Sequence, residues 1–224
     1  MDGATGLPLP IVGRFVVIEG LDGAGKRTLA DGLEVELTTR GANVARAAFP
    51  RYDVDVHADL VRDALHGQLG DLADSVHGMA VLFALDRHDA APELRAAQRE
   101  HDILLVDRHV SSNAAYGAAR LREDAHGEFV KWVRELEIER LGVPVPDVQL
   151  LLRVPRQLAA ERAAHRENDD PGRRRDRFET DADLQHRTAQ VYEQLAATQW
   201  LSPWVVVDGT HRVDAAGLAN QLLA

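Results

Sequence analysis

A glycine-rich stretch that ends in a lysine is the part of the sequence best equipped for chemistry. Residues 20–28 read Gly-Leu-Asp-Gly-Ala-Gly-Lys-Arg-Thr and directly follow the apolar run of residues 15–18. The pattern Gly-x4-Gly-Lys after a buried strand predicts a P-loop, whose backbone N–H groups surround phosphate while the lysine adds positive charge. The alternative is a glycine-rich turn that binds nothing. The strict pattern has Ser or Thr after the lysine to bind Mg²⁺, whereas here Arg27 follows Lys26 and Thr28 comes next.

Polar residues follow two further apolar runs. The segment Phe49-Pro-Arg-Tyr52 ends one of them, and Asp107-Arg108-His109 ends the run Ile-Leu-Leu-Val. An acid at the end of a strand beside a P-loop is placed to orient Mg²⁺ or its water, and an adjacent arginine to bind phosphate. The alternatives are that Asp107 caps a helix and that Arg108 forms a surface ion pair.

Residues 162–177 form a segment unusually rich in arginine. It also contains Asp169, Asp170, Pro171 and Gly172, which indicate a turn, and its arginines are Arg162, Arg166, Arg173, Arg174, Arg175 and Arg177. Phosphoryl transfer depends on positioning and on neutralising the charge of the moving group, so we predict a lid that closes over phosphates. The alternative is a solvated basic loop whose charge is offset by neighbouring acids.

Phe83 and Arg87 are four residues apart in the segment Leu82-Phe-Ala-Leu-Asp-Arg87. On a helix they share one face, where an aromatic ring and a guanidinium fork can hold a flat nucleobase. The alternative is a core phenylalanine that a surface arginine covers.

Short apolar runs alternate with segments rich in Ala, Leu, Arg and Glu. We predict strands at 14–19, 43–48, 102–107, 147–154 and 203–208. Helices are predicted at 26–40, 56–66, 71–99, 122–141, 155–167, 179–198 and 212–223. This alternation predicts an α/β protein with a doubly wound three-layer α/β/α architecture, a five-stranded parallel sheet and ligands at the carboxyl ends of the strands.

The composition excludes several classes of protein. The chain has 224 residues and a formal net charge of −10, which disfavours binding to nucleic acid. It contains no cysteine, which fits a cytoplasmic protein, and no apolar stretch approaches the roughly 20 residues that a membrane span needs. Residues 1–13 are rich in Gly and Pro and are predicted to be a flexible leader, so that the folded domain covers 14–224.

Taken together, these residues resemble thymidylate kinase, in particular its actinobacterial, mycobacterial-type members. The resemblance covers roughly residues 14–223 and is carried by Glu19-Gly-Leu-Asp-Gly-Ala-Gly-Lys-Arg-Thr28, Phe49-Pro-Arg-Tyr52, Leu82-Phe-Ala-Leu-Asp-Arg87, Asp107-Arg108, Ser111-Ser-Asn-Ala-Ala-Tyr116, Asp170-Pro-Gly-Arg173 and Phe178-Glu179. It implies the P-loop nucleoside-monophosphate-kinase fold, an arginine-rich lid at about 162–177, and phosphorylation of dTMP to dTDP by ATP with Mg²⁺. It also implies a homodimer packed through helices around 56–66, 71–99 and 122–140. The alternatives are a kinase for another nucleoside monophosphate or for a deoxynucleoside, and an inactive nucleotide-binding paralogue.

The resemblance also implies a role for each site residue. The implied catalytic residues are Lys26, Asp22, Arg108, Arg162 and Arg166. Those implied to bind ATP are Gly20, Gly23, Ala24, Gly25, Lys26, Arg27, Thr28 and Arg173. Those implied to bind dTMP are Asp22, Phe49, Tyr52, Phe83, Arg87, Arg108, Asn113, Tyr116 and Phe178. Phe83 stacks on thymine, Arg87 bonds its edge, and Asn113 reads the base and the surroundings of its methyl group. Tyr116 packs beneath the sugar, where it disfavours a 2′-hydroxyl. The implied ligands of Mg²⁺ are Asp22, Glu179 and Asp107.

Two positions depart from the usual family pattern. His109 takes the place of a tyrosine after Asp-Arg, which puts a side chain that titrates near neutrality next to the site. Phe178 takes the place of a tyrosine before Glu179, which removes a hydroxyl from the end of the lid.

Overall fold

The computed structural model describes residues 13–169 and 177–224, without the side chains at 156, 165–169 and 177. Residues 1–12 of the predicted leader and 170–176 of the predicted lid lie outside the described residues, as do Arg173 and the side chain of Arg166.

A five-stranded parallel sheet lies at the centre of the domain, as predicted. Its strands are β1 (Arg14–Glu19), β2 (Val44–Ala48), β3 (Ile103–Asp107), β4 (Val148–Arg153) and β5 (Trp204–Asp208), in the order β2-β3-β1-β4-β5. Each predicted strand boundary is correct to within one residue. The register pairs Ile18 of β1 with Asp107 of β3, so the carboxyl ends of the two central strands meet at one edge.

Helices cover both faces of the sheet. They are α1 (Lys26–Thr39), α2 (Val56–Leu65), α3 (Val76–Glu100), α4 (Val110–Leu121), α5 (Glu128–Arg134), α6 (Arg156–Asp169), α7 (Arg177–Thr180), α8 (Ala182–Ala197) and α9 (Ala215–Leu223). A 3₁₀ turn spans Leu72–Asp74, and a π-helical segment at Glu135–Arg140 continues α5. None of the helices in the described ranges combines the length and the apolar character needed to cross a membrane.

The two faces of β1 belong to different cores, which explains why its whole apolar run is buried. Val16 and Ile18 pack with residues of α1 and α9 on one side. Phe15 and Val17 pack with residues of α3 on the other. Alternate side chains of a strand point to opposite faces, so a central parallel strand must be apolar on both.

The sequence-based prediction missed α4 and was wrong in placing one helix over 122–141. The chain instead forms α4, leaves it at Arg122 in a left-handed conformation (φ 60°), and begins α5 only at Glu128. Gly117 has low helix propensity, which hid α4 from a propensity argument. It is required there because the ring of Phe129 occupies the space that a Cβ at residue 117 would take. Tertiary packing between α4 and α5 therefore outweighs the local preference.

Candidate active site

The predicted P-loop forms a tight turn between β1 and α1. Gly20, Gly23 and Gly25 adopt φ values of 144°, 77° and 97°, which side chains with a Cβ rarely tolerate. Lys26 is the first residue of α1, and its Nζ donates hydrogen bonds to the carbonyl oxygens of Gly20 (3.2 Å) and Leu21 (3.0 Å). No side chain caps the start of α1, so its first N–H groups and the positive end of its dipole are directed into the loop. This geometry suits a bound phosphate.

The loop lies between two cavities, which we call the inner pocket and the α9 groove. The inner pocket is lined by Asp22, Phe49, Pro50, Tyr52, Leu65, Phe83, Arg87, Arg108, Ser112, Asn113, Tyr116, Phe178 and Glu179. All nine residues predicted to bind the nucleoside monophosphate therefore face one cavity. They come from the P-loop, the loop after β2, the turn after β3, and helices α3, α4 and α7, which the sheet topology brings together at one edge.

The α9 groove borders a different part of the loop and shares no lining residue with the inner pocket. Ala24, Gly25, Thr28 and Arg162 line it together with the segment 209–216 that leads into α9. Arg162 Nη1 donates to the carbonyl oxygens of Ala24 and Gly209, both at 3.2 Å. The predicted lid arginine thus connects the P-loop to the far wall of this groove. Arg27 is exposed beside it.

Asp22, Arg108 and Tyr116 form a polar triad at the entrance from the P-loop to the inner pocket. Arg108 Nη2 donates to Asp22 Oδ1 at 2.5 Å, and the Tyr116 hydroxyl donates to Asp22 Oδ2 at 2.6 Å. Burial alone would raise the pKa of Asp22, but the charges of Arg108 and Lys26 outweigh it and hold that pKa below its ordinary value. Burial and the Asp22 charge raise the pKa of Tyr116. The triad therefore consists of an ionised acid, a guanidinium and a neutral phenol.

The backbone of Arg108 is in the left-handed region, with φ 65°. That conformation is uncommon for a residue with a Cβ and is found preferentially where a side chain must be aimed at a site. The N–H of Arg108 donates to Ile18 O at 3.0 Å, which fixes the turn against β1. Its Nη1 donates to Ser112 Oγ at 3.1 Å, so both ends of the guanidinium are held.

Glu19 is a fully buried carboxylate that the sequence analysis did not assign to the site. Its oxygens accept from the N–H groups of His109 and Ser112, from Ser112 Oγ at 2.6 Å and from the Tyr192 hydroxyl at 2.8 Å. Burial raises its pKa above the usual range, against the lowering effect of these donors and of Arg108. The network fixes the first turn of α4 on the end of β1. A Glu at the end of a buried strand was a usable signal, because a buried carboxylate needs such donors.

A second unassigned acid, Asp86, holds the loop that follows β2. Arg51 donates from its backbone N–H (3.0 Å) and its Nε (2.8 Å) to the carboxylate of the buried Asp86. Arg51 Nη2 also donates to Asp86 O and to Asp55 Oδ2, both at 2.9 Å. Phe49 and Tyr52 are thereby fixed in the wall of the inner pocket.

Arg87 and Asn113 meet behind the inner pocket at a third unassigned acid, Glu137. Arg87 donates from Nε (2.6 Å) and Nη2 (2.8 Å) to the two oxygens of Glu137, and Asn113 Nδ2 donates to Glu137 Oε1 at 2.8 Å. Arg87 and Glu137 are both buried. No spacing in the sequence connects Glu137 with residues 24 and 50 positions earlier.

The predicted magnesium ligands lie around the P-loop without forming a ready-made cage. Asp22 and Glu179 line the inner pocket, and Asp107 Oδ1 is a buried oxygen without a hydrogen-bond partner in the ranges described. The three acids are not among the sets of described side chains whose ligand atoms all lie within 4.8 Å of one another. That spread fits Mg²⁺, which binds nucleotide sites through one or two carboxylates, waters and substrate phosphates.

The described side chains do contain one set of that kind, formed by Asp55, His57 and Asp89. Its central member has other partners: Asp55 accepts hydrogen bonds from the first turn of α2 and pairs with Arg51. We therefore interpret it as the N-terminal cap of α2.

The two departures from the family pattern are both accommodated. His109 packs edge-on against Phe15, with ring centroids 5.2 Å apart, and beside Phe49 at 5.8 Å, while its Nε2 donates to Pro144 O at 2.9 Å. Burial, together with the charge of Arg87, lowers its pKa to about 3, so it stays neutral. Phe178 is buried beneath Arg120, whose guanidinium carbon lies 4.6 Å from the ring centroid.

The P-loop lies at the carboxyl edge of a parallel sheet. It is bordered by a groove that contains an arginine and by a pocket in which aromatic, guanidinium and carboxylate groups converge. This combination defines the class of P-loop nucleoside monophosphate kinases. The model of the thymidylate kinase family matches residues 18–216. The chain is 50% identical to "Thymidylate kinase" of Mycobacterium tuberculosis (strain H37Rv) over 208 residues, which are 93% of this chain and 96% of that protein. Proteins of the same name from Leifsonia xyli and Homo sapiens are 33% and 26% identical, over 90% and 91% of this chain and 90% and 85% of their own lengths. The chain belongs to the thymidylate kinase family.

Proposed function

We propose that this chain transfers the γ-phosphoryl group of ATP to dTMP and releases dTDP and ADP. The observation that carries the proposal is that two separate cavities border the P-loop, one of them lined by every residue expected to bind the monophosphate. A kinase that acts on two nucleotides needs such a pair, because the acceptor and the γ-phosphate must approach each other from opposite sides.

ATP is assigned to the P-loop and the α9 groove. Lys26 and the N–H groups from Gly20 to Thr28 bind its phosphates, with Ala24 and Arg27 as part of the loop. Arg162 already bridges the loop and Gly209, so it lies beside any phosphate bound there. The lid arginines Arg166 and Arg173, which lie outside the described side chains, are assigned to the same nucleotide by resemblance.

The acceptor dTMP is assigned to the inner pocket. Arg108 binds its phosphate, and Asp22 holds Arg108 in place. Phe83 stacks on the thymine, and Tyr116 packs beneath the deoxyribose. The base edge is contacted by Arg87 and Asn113, and the remaining walls are formed by Phe49, Tyr52 and Phe178.

The proposed transfer is in line and has no covalent enzyme intermediate. A phosphate monoester has its second pKa near 6, so the attacking oxygen of dTMP is already ionised at neutral pH and needs no general base. The ionised Asp22 therefore acts by orienting Arg108 rather than by accepting a proton. Catalysis then comes from alignment of the two phosphates and from neutralisation of charge on the transferred group by Lys26, Arg108 and the lid arginines.

A magnesium ion bound with ATP would be held by Asp22, Asp107 and Glu179, directly or through water. It would neutralise charge on the phosphate oxygens during transfer. Asp107 Oδ1 supports this assignment because this buried oxygen, which has no hydrogen-bond partner among the described residues, is left available to a cation or to a water bound to one.

The protein is further proposed to act in the cytoplasm as a homodimer. A chain without cysteine fits a reducing compartment, where ATP is available. The exposed valines Val54, two residues before α2, Val56 at its first position and Val81 on α3 support a contact through these helices. Light scattering after gel filtration tests the dimer, and a mass of one chain over the micromolar range would contradict it.

The experiment that tests the activity is a panel of acceptors with ATP and Mg²⁺, in which ADP release is measured for dTMP, dUMP, dCMP, dGMP and UMP. We expect the highest kcat/KM with dTMP. A clear preference for another acceptor would assign the chain to a different nucleotide kinase. Binding of ATP and dTMP without ADP release would assign it to the inactive nucleotide-binding proteins.

A further inference from the structure

Glu137 is completely buried behind the inner pocket and does not line it. It lies in the π-helical segment that continues α5, where the N–H of Leu141 bonds five residues back to Leu136 O at 2.9 Å. Such wider turns are uncommon and occur frequently at functional sites. Here the wider turn carries an acid into the interior between α3 and α4.

Three donors use the oxygens of this carboxylate. Arg87 Nε and Nη2 form a two-pronged contact, and Asn113 Nδ2 adds a third hydrogen bond. The contact with Arg87 takes up one side of the guanidinium. Nη1 remains for the pocket, since it has no hydrogen-bond partner in the part of the chain that the structure describes.

The same contact fixes the orientation of the Asn113 amide. Its Nδ2 donates to Glu137 Oε1 (2.8 Å) and to Ala80 O (3.0 Å), and both of these partners can only accept. A flipped amide would set its oxygen against two acceptors, so only one orientation is compatible with the site. The oxygen Oδ1 then remains for the pocket, and no described residue donates to it.

We propose that Glu137 is a positioning residue that sets the hydrogen-bonding polarity of the base site: an acceptor at Asn113 Oδ1 and a donor at Arg87 Nη1. This polarity matches thymine and uracil, whose N3–H donates and whose O4 accepts. In cytosine the hydrogen-bonding roles at both positions are reversed, because its N3 accepts and its N4 amino group donates. The inference rests on the proposed binding of dTMP in the inner pocket and adds the residue that decides between pyrimidines.

The first test uses the unaltered protein, with dTMP and 5-methyl-dCMP as acceptors. The two nucleotides share the sugar, phosphate and methyl group and differ only in the polarity of the base edge. We expect kcat/KM for dTMP to exceed that for 5-methyl-dCMP by about 10³-fold or more, because a reversed edge leaves buried groups unpaired. Values within tenfold of each other would contradict the proposal while leaving dTMP kinase activity intact. No activity with dTMP at all would instead contradict the proposed function.

The second test uses Glu137→Gln, which keeps the size of the side chain but replaces one carboxylate oxygen by an amide NH2 group. That group cannot accept hydrogen bonds from Arg87 or Asn113. We expect KM for dTMP to rise about tenfold, with kcat and KM for ATP nearly unchanged. The preference for dTMP over 5-methyl-dCMP should fall, while the preference for dTMP over dUMP, which has the same edge, should not. The matched control is Glu139→Gln, two residues away on the same segment, whose side chain is exposed and loosely paired with Arg134.

A merely structural role for Glu137 predicts a different result. General loosening of the pocket would change the dTMP to dUMP ratio as much as the dTMP to 5-methyl-dCMP ratio, or would lower kcat. Either result in a variant that circular dichroism shows to be folded would overturn the assignment. If Glu137→Gln does not fold, the comparison of the two acceptors with the unaltered protein still decides the polarity.

Discussion

Gly23 of the P-loop lies directly against the backbone carbonyl of Ala159 in α6. A Cβ at residue 23 would overlap that carbonyl oxygen and lie 3.1 Å from the N–H nitrogen of Ala163. The contact fixes the helix that carries Arg162 on the phosphate-binding loop. The glycine is therefore needed both for its left-handed backbone and for this close approach.

We expect Gly23→Ala to abolish most activity by displacing α6 from the loop. KM for ATP should rise steeply, because Arg162 and the loop N–H groups lose their alignment. The matched control is Gly67→Ala, which has nearly the same φ (78° against 77°) but no atom within 4 Å of the added Cβ. It should cost about 1 kcal/mol of stability from backbone strain and leave KM for ATP unchanged. Equal effects of the two variants on KM would show that the contact with Ala159 does not matter.

Lys26→Ala should lower kcat by about 10³-fold or more, since it removes a charge that acts on the transferred phosphoryl group. Its hydrogen bonds to Gly20 O and Leu21 O hold the loop, so a modest fall in the melting temperature is expected as well. Binding of dTMP, measured by calorimetry, should persist because the inner pocket is intact. Lys131→Ala is the natural control, since Lys131 is the other lysine of the chain and is exposed. Retention of near-normal turnover by Lys26→Ala would remove the P-loop from the mechanism.

Most of the fold followed from local pattern. The strands were predictable because a parallel strand buried on both faces leaves a continuous apolar run, and β1 and β3 both have one. Helix α4 could not be predicted in this way, because packing against α5 stabilises it, in particular the contact of the Phe129 ring with Gly117. Contacts between segments do not appear in the propensity of either one.

The same distinction between local pattern and distant contact separates the site residues that could be predicted from those that could not. Motif residues such as Lys26 and Arg108 were found because a short local pattern carries their chemistry. The buried acids Glu19, Asp86 and Glu137, which hold those residues in place, were not assigned a role. Each of these acids bonds to partners 24 or more positions away in the chain, and a single sequence contains no signal for such a pairing.

The buried pair of Arg87 and Glu137 makes Arg87→Ala a poor test of base recognition by itself. Removing one member of a buried ion pair leaves the other charge uncompensated, which typically costs about 3–5 kcal/mol. The double variant Arg87→Met, Glu137→Leu removes both charges, so we expect it to recover most of the free energy of unfolding measured with urea. KM for dTMP should stay raised in the double variant, with KM for ATP near that of the unaltered protein. Recovery of a normal KM for dTMP would show that Arg87 has no part in binding the base.

The neutral, buried His109 predicts a specific dependence of stability on pH. Its pKa in the folded protein is lowered to about 3, whereas an unfolded chain has a histidine pKa near 6.5. Between these values the unfolded state binds a proton that the folded state does not. The stability that His109 contributes is therefore fully present above pH 6.5 and is lost as the pH falls towards 3.

His109→Phe should reveal this effect by removing the titrating group while keeping a ring between Phe15 and Phe49. The variant should be less stable than the unaltered protein at pH 7.5, because Pro144 O loses its donor. At pH 5.5 the difference in the free energy of unfolding should be smaller by about 1 kcal/mol, because only in the unaltered protein does protonation of residue 109 stabilise the unfolded state. His126→Gln, at an exposed histidine, should leave the pH dependence as it is. Parallel curves for His109→Phe and the unaltered protein over this range would mean that His109 titrates in the folded state as it does in the unfolded chain.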